Sequence, residues 1–494
     1  MTSEAANRNE NRSTTPQSSG FARFVSTGWA DRPPLAATLS AAAAAAAPRR
    51  AALSEAFAGV RLIVPAGGPK QRSNDTDYSY RAHSAFSYLT GWGSATVPES
   101  VLVFTPSEDG SHAVELYFRP SATRDTEEFY ADASIGEFWV GARPGLSEIA
   151  AELGVATRDL TELPGELEHW AHAGVPSAII READAALSAR VDQLLRAGEP
   201  SEDDRERDRS LAQAVSEARL VKDAFEIAEM REAIAATARG FDDVLAALPR
   251  AEALERGERL VEGVFFTRAR LEGNDVGYGS IAAAGPHATI LHWTRNDGPL
   301  RAGELLLLDA GVERESYYTA DVTRTVPISG RFSPLQRKVY EAVLEAADAA
   351  FAVVKPGAIF REVHAAAMRV IAEKTAAWGL LPVPAEESLL PEHQHHRRYM
   401  VHGTSHHLGI DVHDCAQARR ELYLDGEIRP GMIFTIEPGL YFQADDLSVP
   451  AEFRGIGVRI EDDILVTDSG AENLSAALPR TADDVEAWVA RLRS

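Results

Sequence analysis

Four carboxylates in this chain stand among apolar residues, where a solubilising charge has no reason to be. Asp309 follows four leucines in "GELLLLDAG", Asp321 opens "DVTRTVPI", Glu437 lies in "MIFTIEPGLY" and Glu461 in "GVRIEDDILVT". A lone buried carboxylate is costly unless something offsets its charge. A hairpin joining the strand that ends at Asp309 to the one that starts at Asp321 would bring both to one end of a sheet, where they could share an ion. In "VRIED", strand residues two apart share a face, so Arg459 accompanies Glu461 while Val458 and Ile460 point the other way. The segment "VHGTSHHLGIDVHD" adds His402, His406, His407 and His413. Four carboxylates and one imidazole form an oxygen-rich set whose charge two divalent cations would neutralise. Such ligands favour Mn²⁺, Co²⁺ or Mg²⁺, with Zn²⁺ able to compete on affinity. Two cations sharing a water suit hydrolysis, because they acidify the water and polarise a carbonyl.

Each part has a blander reading. "RIEDD" alone reads as a solvated acidic turn, "EHQHHRR" around His393 to Arg398 as an exposed loop, and Asp309 as a turn cap before Gly311. Their order, each beside its own apolar strand, argues for one site. Met230, Met432 and Phe434 read as core, and Cys415 lacks the His and Asn pattern of a cysteine nucleophile.

The elements that must position these groups lie in the second half. From Lys222 the chain turns to long amphipathic helices, with Ile227, Met230, Ile234, Phe241, Val244 and Leu248 at helical spacing. Ser333 and Pro334 open a further helix, which "KPG" at Lys355 to Gly357 closes. Helices alternating with antiparallel-looking strands indicate an α+β domain over 222–494. Upstream, "VRLIV", "SVLVF" and "AVELYF" read as strands of an α/β domain over 48–221, and the charged "EPSEDDRERDRS" as a solvated connection near its end. Residues 1–47 read as a flexible extension with an alanine-rich helical lead-in, the polar part running to about Pro34.

At 494 residues the chain is long enough for two domains, and its net charge of −24 argues against nucleic acid or an anionic membrane as the main partner. One cysteine favours a reducing compartment, no apolar run reaches the length of a membrane span, and the polar N-terminus carries no signal-peptide core. These point to a cytoplasmic location.

"LLLLDAG", "ADVTRTVP", "HGTSHHLGIDVHD", "TIEPGLY" and "RGIGVRIEDDILVT" resemble the signature segments of the M24 metallopeptidases, closest to the aminopeptidase P branch. "RSNDTDYSYRAHSAFSYLTGW" resembles that branch's N-terminal domain, and "ILHWTRND" its substrate-histidine segment. The likeness covers roughly residues 49 to 490. It implies an α/β N-terminal domain followed by an α+β pita-bread catalytic domain with a dinuclear centre, usually manganese. Asp309 would hold one metal, Asp321 and Glu461 would bridge both, and His406 and Glu437 would complete the set. Glu437 would also be the general base, His292, His402 and His413 would hold the substrate and the tetrahedral intermediate, Arg459 would support the ligands, and Tyr441 would stand behind them. The implied activity removes the N-terminal residue from peptides with proline second, by attack of a metal-bridging water, in a homodimer or homotetramer. A prolidase restricted to dipeptides and a non-catalytic pita-bread binding module are the alternatives. The sequence departs from the family in three ways, one being that the loop after His413, "DCAQARRELYLDG", lacks the usual glycine and tyrosine. The twelve positions from Asp309 to Asp321 are one more than the family spacing, which is tolerable if the extra residue sits at the hairpin tip near "RESYYT". His407 stands where an aromatic is common.

Overall fold

The computed structural model describes residues 14–30, 37–74, 76–196 and 198–493. The chain divides into two compact units, Met1–Val215 and Ser216–Ser494.

The first unit is built on a mixed five-stranded sheet. Its strands are β1 (Arg61–Pro65), β2 (Val101–Pro106), β3 (His112–Phe118), β4 (Ala156–Asp159) and β5 (Ser177–Ile179), in the order β4-β3-β2-β1-β5. The consecutive strands β1, β2 and β3 pair antiparallel, while β4 and β5 join the edges in parallel after helical crossovers. Ile63, Val101, Val103 and Tyr117 of the sheet pack on Leu163, Leu167 and Trp170 of a covering helix. The helix Ala41–Ala56 absorbs Pro48 and buries Ala43 and Ala46 completely. The alanine lead-in is therefore part of the packed unit. Its small side chains let the backbone come so close to Gly91 that a Cβ there would lie 2.5 Å from the carbonyl carbon of Ala42. The expected flexible stretch lies outside the described residues over 1–13 and 31–36. Between them, Ser19–Val25 is helical, and Phe21 and Trp29 meet Tyr130 and Phe129 edge-on.

The charged stretch expected to be a solvated connection is instead a helix, Glu202–Ala218. Asp208 is buried and takes two hydrogen bonds from the buried Arg196, which also meets Asp192. Asp204 and Asp208 are the residues of the stretch that meet Arg181 and Arg196, while Glu202, Glu206 and Arg209 stay exposed and pair within the helix.

The second unit carries the site. A capping box of Asp223 and Glu226 starts the helix Ala224–Glu252, whose buried stripe includes Met230, Ile234, Phe241, Val244 and Leu248. Helices Gly257–Glu272, Pro334–Ala352, Arg361–Ala377 and Ala482–Leu492 complete the outer layer. Against them lie antiparallel strands in four small sheets, one of them only the short pair of Asp275–Val276 with Val312–Glu313. β6 (Ile281–Ala284), β7 (Leu305–Ala310) and β8 (Val322–Pro327) form one, with β7 central. β9 (Ile433–Ile436), β12 (Asp462–Thr467) and β13 (Gly470–Asn473) form the second, and β10 (Gly439–Tyr441) pairs with β11 (Gly457–Arg459) in the third. The four leucines of β7 are buried on both faces, as a central strand requires. No helix among the described residues is long and apolar enough to cross a membrane.

Candidate metal centre

The strand ends place the carboxylates. β7 and β8 pair with Asp309 opposite Thr323 and Ala310 opposite Val322, so the register holds through the last pair before Asp321. The irregularity is confined to the tip, where Arg314 and Tyr317 form a turn and Tyr317 takes a φ of 71°. Asp309 and Asp321 consequently face one another, and the hydroxyl of Tyr278 lies 2.6 Å from Oδ1 of Asp309 and 2.5 Å from Oδ1 of Asp321.

Glu461 enters between β11 and β12, where its N–H donates to the carbonyl of Thr323 and its Oε2 accepts the Thr323 hydroxyl at 2.7 Å. Arg459 binds the same threonine through Nε at 3.1 Å, Asp309 Oδ2 through Nη2 at 2.5 Å and the Tyr441 hydroxyl through Nη1 at 3.0 Å. The shared strand face expected of Arg459 and Glu461 thus meets at Thr323. Glu437, between β9 and β10, is fixed by its N–H to Thr404 O and by the Thr435 hydroxyl at 3.4 Å. Thr435 also receives the N–H of His406, so one threonine aligns both. His406 Nε2 lies 3.4 Å from Asp321 Oδ2 and 3.5 Å from Glu437 Oε1. One donor atom each from Asp321, His406 and Glu461 falls within 4.8 Å of the others.

The electrostatics of this cluster call for positive charge. Burial pushes Asp321 upward, Glu437 up to about 7 and Glu461 well above the carboxylate range, with the neighbouring carboxylates adding to all three. Burial alone would lower His406, yet its hydrogen bond to Asp321 and the charge of Glu437 raise it to about 9. Asp463, fully buried behind Asp321, accepts its N–H at 3.2 Å and leaves Oδ1 without a hydrogen-bond partner. A donor set this rich in oxygen fits divalent metal: Asp321, His406 and Glu461 are grouped closely enough to hold an ion, with Asp309 and Glu437 adjoining them.

The other expected residues sit around this cluster. His402 Nδ1 lies 2.6 Å from Gly403 O, which requires the hydrogen on Nδ1, so Nε2 accepts from the Tyr441 hydroxyl at 2.8 Å. Burial and Arg459 lower His402 to about 3, leaving a neutral ring 3.6 Å from Glu437 Oε2. His413 is exposed, with its ring centre 4.2 Å from that of His406. His292 is exposed as well, and its charge acts on His413. His407 turns away from the site into a box of Phe360, Tyr423 and Phe434, where burial lowers it to about 3. The supposed exposed loop at 393–398 is partly inside: His396 is buried against Ser388, and Arg397 donates to His364 and to the carbonyl of His402. Sequence reasoning missed Tyr278, Thr323, Thr435 and Asp463. Only Asp463 carried a signal, as the second acid of "EDD".

The comparisons with known proteins agree with this fold. The profile described as metallopeptidase family M24 matches residues 228–468, and that described as the aminopeptidase P N-terminal domain matches residues 46–176. Xaa-Pro aminopeptidase 1 of Streptomyces coelicolor is 52% identical over 473 residues, spanning 96% of this chain and 92% of its own. A variant of Escherichia coli aminopeptidase P in complex with substrate superimposes with a TM-score of 0.79 at 30% identity, covering 92% of this chain and 100% of that one. A zinc-substituted form of the E. coli enzyme in complex with product gives 0.77 at 29%, covering 93% and 100%. Fold and donor set together define a two-domain pita-bread metallohydrolase. The chain belongs to metallopeptidase family M24 and, within it, is a metal-dependent aminopeptidase of the aminopeptidase P type.

Proposed function

We propose that this aminopeptidase releases the N-terminal residue from peptides with proline in the second position, using two divalent cations held by Asp309, Asp321, His406, Glu437 and Glu461. The observation that carries the reading is the convergence of these donors in a chain 52% identical to a Xaa-Pro aminopeptidase. Bound there, the cations supply Lewis-acid chemistry, acidifying water and polarising the scissile carbonyl. The oxygen-rich set favours Mn²⁺, with Co²⁺, Mg²⁺ and Zn²⁺ as competitors. We assign Glu437 to accepting a proton at its carboxylate and returning it to the leaving proline nitrogen. Arg459 donates to Tyr441 and Tyr441 to His402, a chain that holds the His402 imidazole neutral and oriented. We assign His402, His413 and His292 to holding the substrate and the oxyanion that develops on its carbonyl. A cytoplasmic location is supported by a buried lone cysteine, and a homodimer or homotetramer, which a mass measurement in solution would test, by the exposed Phe138, Trp139 and Val140.

The test is cleavage of a Xaa-Pro tripeptide and the matching Xaa-Pro dipeptide by the manganese-loaded enzyme. Release of the first residue from the tripeptide, lost on chelation and regained on adding metal, is the expected result. Cleavage of the dipeptide alone would make it a prolidase, and activity surviving complete removal of metal would refute the reading.

A further inference from the structure

A carboxylate outside the metal centre holds the loop that carries His292. Glu258 is wholly buried in the first turn of the helix Gly257–Glu272, where the helix N-terminus favours negative charge. Its Oε1 accepts the N–H of Ala284 at 2.8 Å and lies 2.8 Å from Nδ1 of His287. Its Oε2 accepts the indole N–H of Trp293 at 2.9 Å and the N–H of Gly298 at 2.7 Å. A carboxylate has about four lone-pair sites, and all are used here. Because it can only accept, the hydrogen of His287 facing it sits on Nδ1.

The rest of the loop closes around this hub. The N–H of Glu258 returns a bond to Gly298 O at 3.1 Å. His287 stacks on Trp293 with ring centres 3.8 Å apart. Gly298 has no room for a side chain, since a Cβ would lie 2.6 Å from Cε1 of His287 and 3.0 Å from Oε2 of Glu258. One side chain therefore pins the start, middle and end of the stretch from Ala284 to Gly298. His292 is exposed, so its placement depends on the backbone beneath it, and its neighbour Trp293 is one of the four residues that Glu258 holds.

We propose that Glu258 is a positioning residue for His292, anchoring Trp293 and the two loop ends so that the imidazole stands where the substrate meets it. The inference rests on the assignment of His292 to the substrate. Glu258→Gln keeps the shape but turns an amide N–H₂ toward two of the four donors, which cannot then be satisfied.

The experiment measures kcat/KM on a Xaa-Pro tripeptide for the manganese-loaded wild type, E258Q, H292A and the double variant. Metal content is read by elemental analysis. E258Q is expected to lose about 10- to 100-fold with metal content unchanged, the scale on which a small misplacement of a positioned group acts. In the H292A background the same substitution is expected to cost less than about 2-fold, because coupled residues are not additive. An undiminished loss in that background would overturn the inference while leaving the His292 assignment standing. Wild-type activity of H292A would instead overturn the assignment and the inference with it. If E258Q does not fold, Trp293→Phe keeps the ring and removes only the indole donor. It should show a smaller loss that also vanishes in H292A, and wild-type kcat/KM in W293F would overturn the inference.

Discussion

Tyr278 has one hydroxyl hydrogen and two carboxylates within reach, so it can bond only one of Asp309 and Asp321 as donor at any moment. It bridges the two acids from a half-buried position. Tyr278→Phe leaves two acid oxygens without that partner, and a hydrogen bond to a charged group is worth about 1.5–3 kcal/mol. We expect turnover on a Xaa-Pro peptide to fall roughly 10- to 100-fold, measured alongside metal stoichiometry. Unchanged kinetics would show that the phenol is only packed there. The acids were legible in the sequence because a charge beside an apolar strand demands explanation. Tyr278 was not, because an aromatic between two glycines in "VGYGS" is equally at home in a core.

The β7–β8 hairpin shows what an element must keep fixed. Gly311 lies so close to its neighbour strand that a Cβ would sit 1.6 Å from the carbonyl oxygen of Ala320, so the turn out of β7 admits only glycine. The tip beyond it absorbs irregularity, which is why twelve positions between the acids leave their register intact. The loop bearing His413 is fixed differently, by charge. Asp414 is buried, accepts from Nζ of the buried Lys222 at 3.1 Å and lies 3.3 Å from Nε of Arg219. Burial alone would raise its carboxyl, but the Arg219 and Lys222 charges outweigh that and hold it below the ordinary range. A depressed folded value means this stabilisation is complete above the unfolded pKa near 4 and is lost as pH falls through the folded one. Asp414→Asn strands a buried ammonium, so urea unfolding at pH 7 should show a loss of about 3–5 kcal/mol. That gap should persist down to about pH 4 and narrow below it; a gap under 1 kcal/mol at pH 7 would sink the account. None of this clamp could be read in advance, because its partners are 192 residues apart in sequence. The same holds for "EPSEDDRERDRS", whose pairing with Arg181 and Arg196 exists only once the sheet has formed.

For the whole molecule, metal and folding are linked. A ligand that binds only the native state stabilises by about 2.7 kcal/mol at a hundred times its Kd. His406, raised to about 9, is protonated at neutral pH before metal arrives and must lose that proton to act as a ligand. Manganese should therefore raise the Tm, and by more at pH 8 than at pH 6. An equal shift at both values would mean His406 does not titrate on binding. The order and class of the two domains were legible from strand and helix periodicity, since each encloses its own apolar pattern. The division itself is not marked by composition. It falls at Val215–Ser216, inside the helix Glu202–Ala218 and ahead of the change in character at Lys222. Ser216 and Glu217 bond Gln417 and Arg419, and Arg219 bonds Asp411 and lies beside Asp414, so these residues belong with the loop they fasten. A gene fragment begun at Lys222, where the sequence changes character, would carry every proposed metal ligand yet omit half the cations that hold the His413 loop down. A protein chemist wanting the catalytic half by itself would have to cut upstream, through a helix.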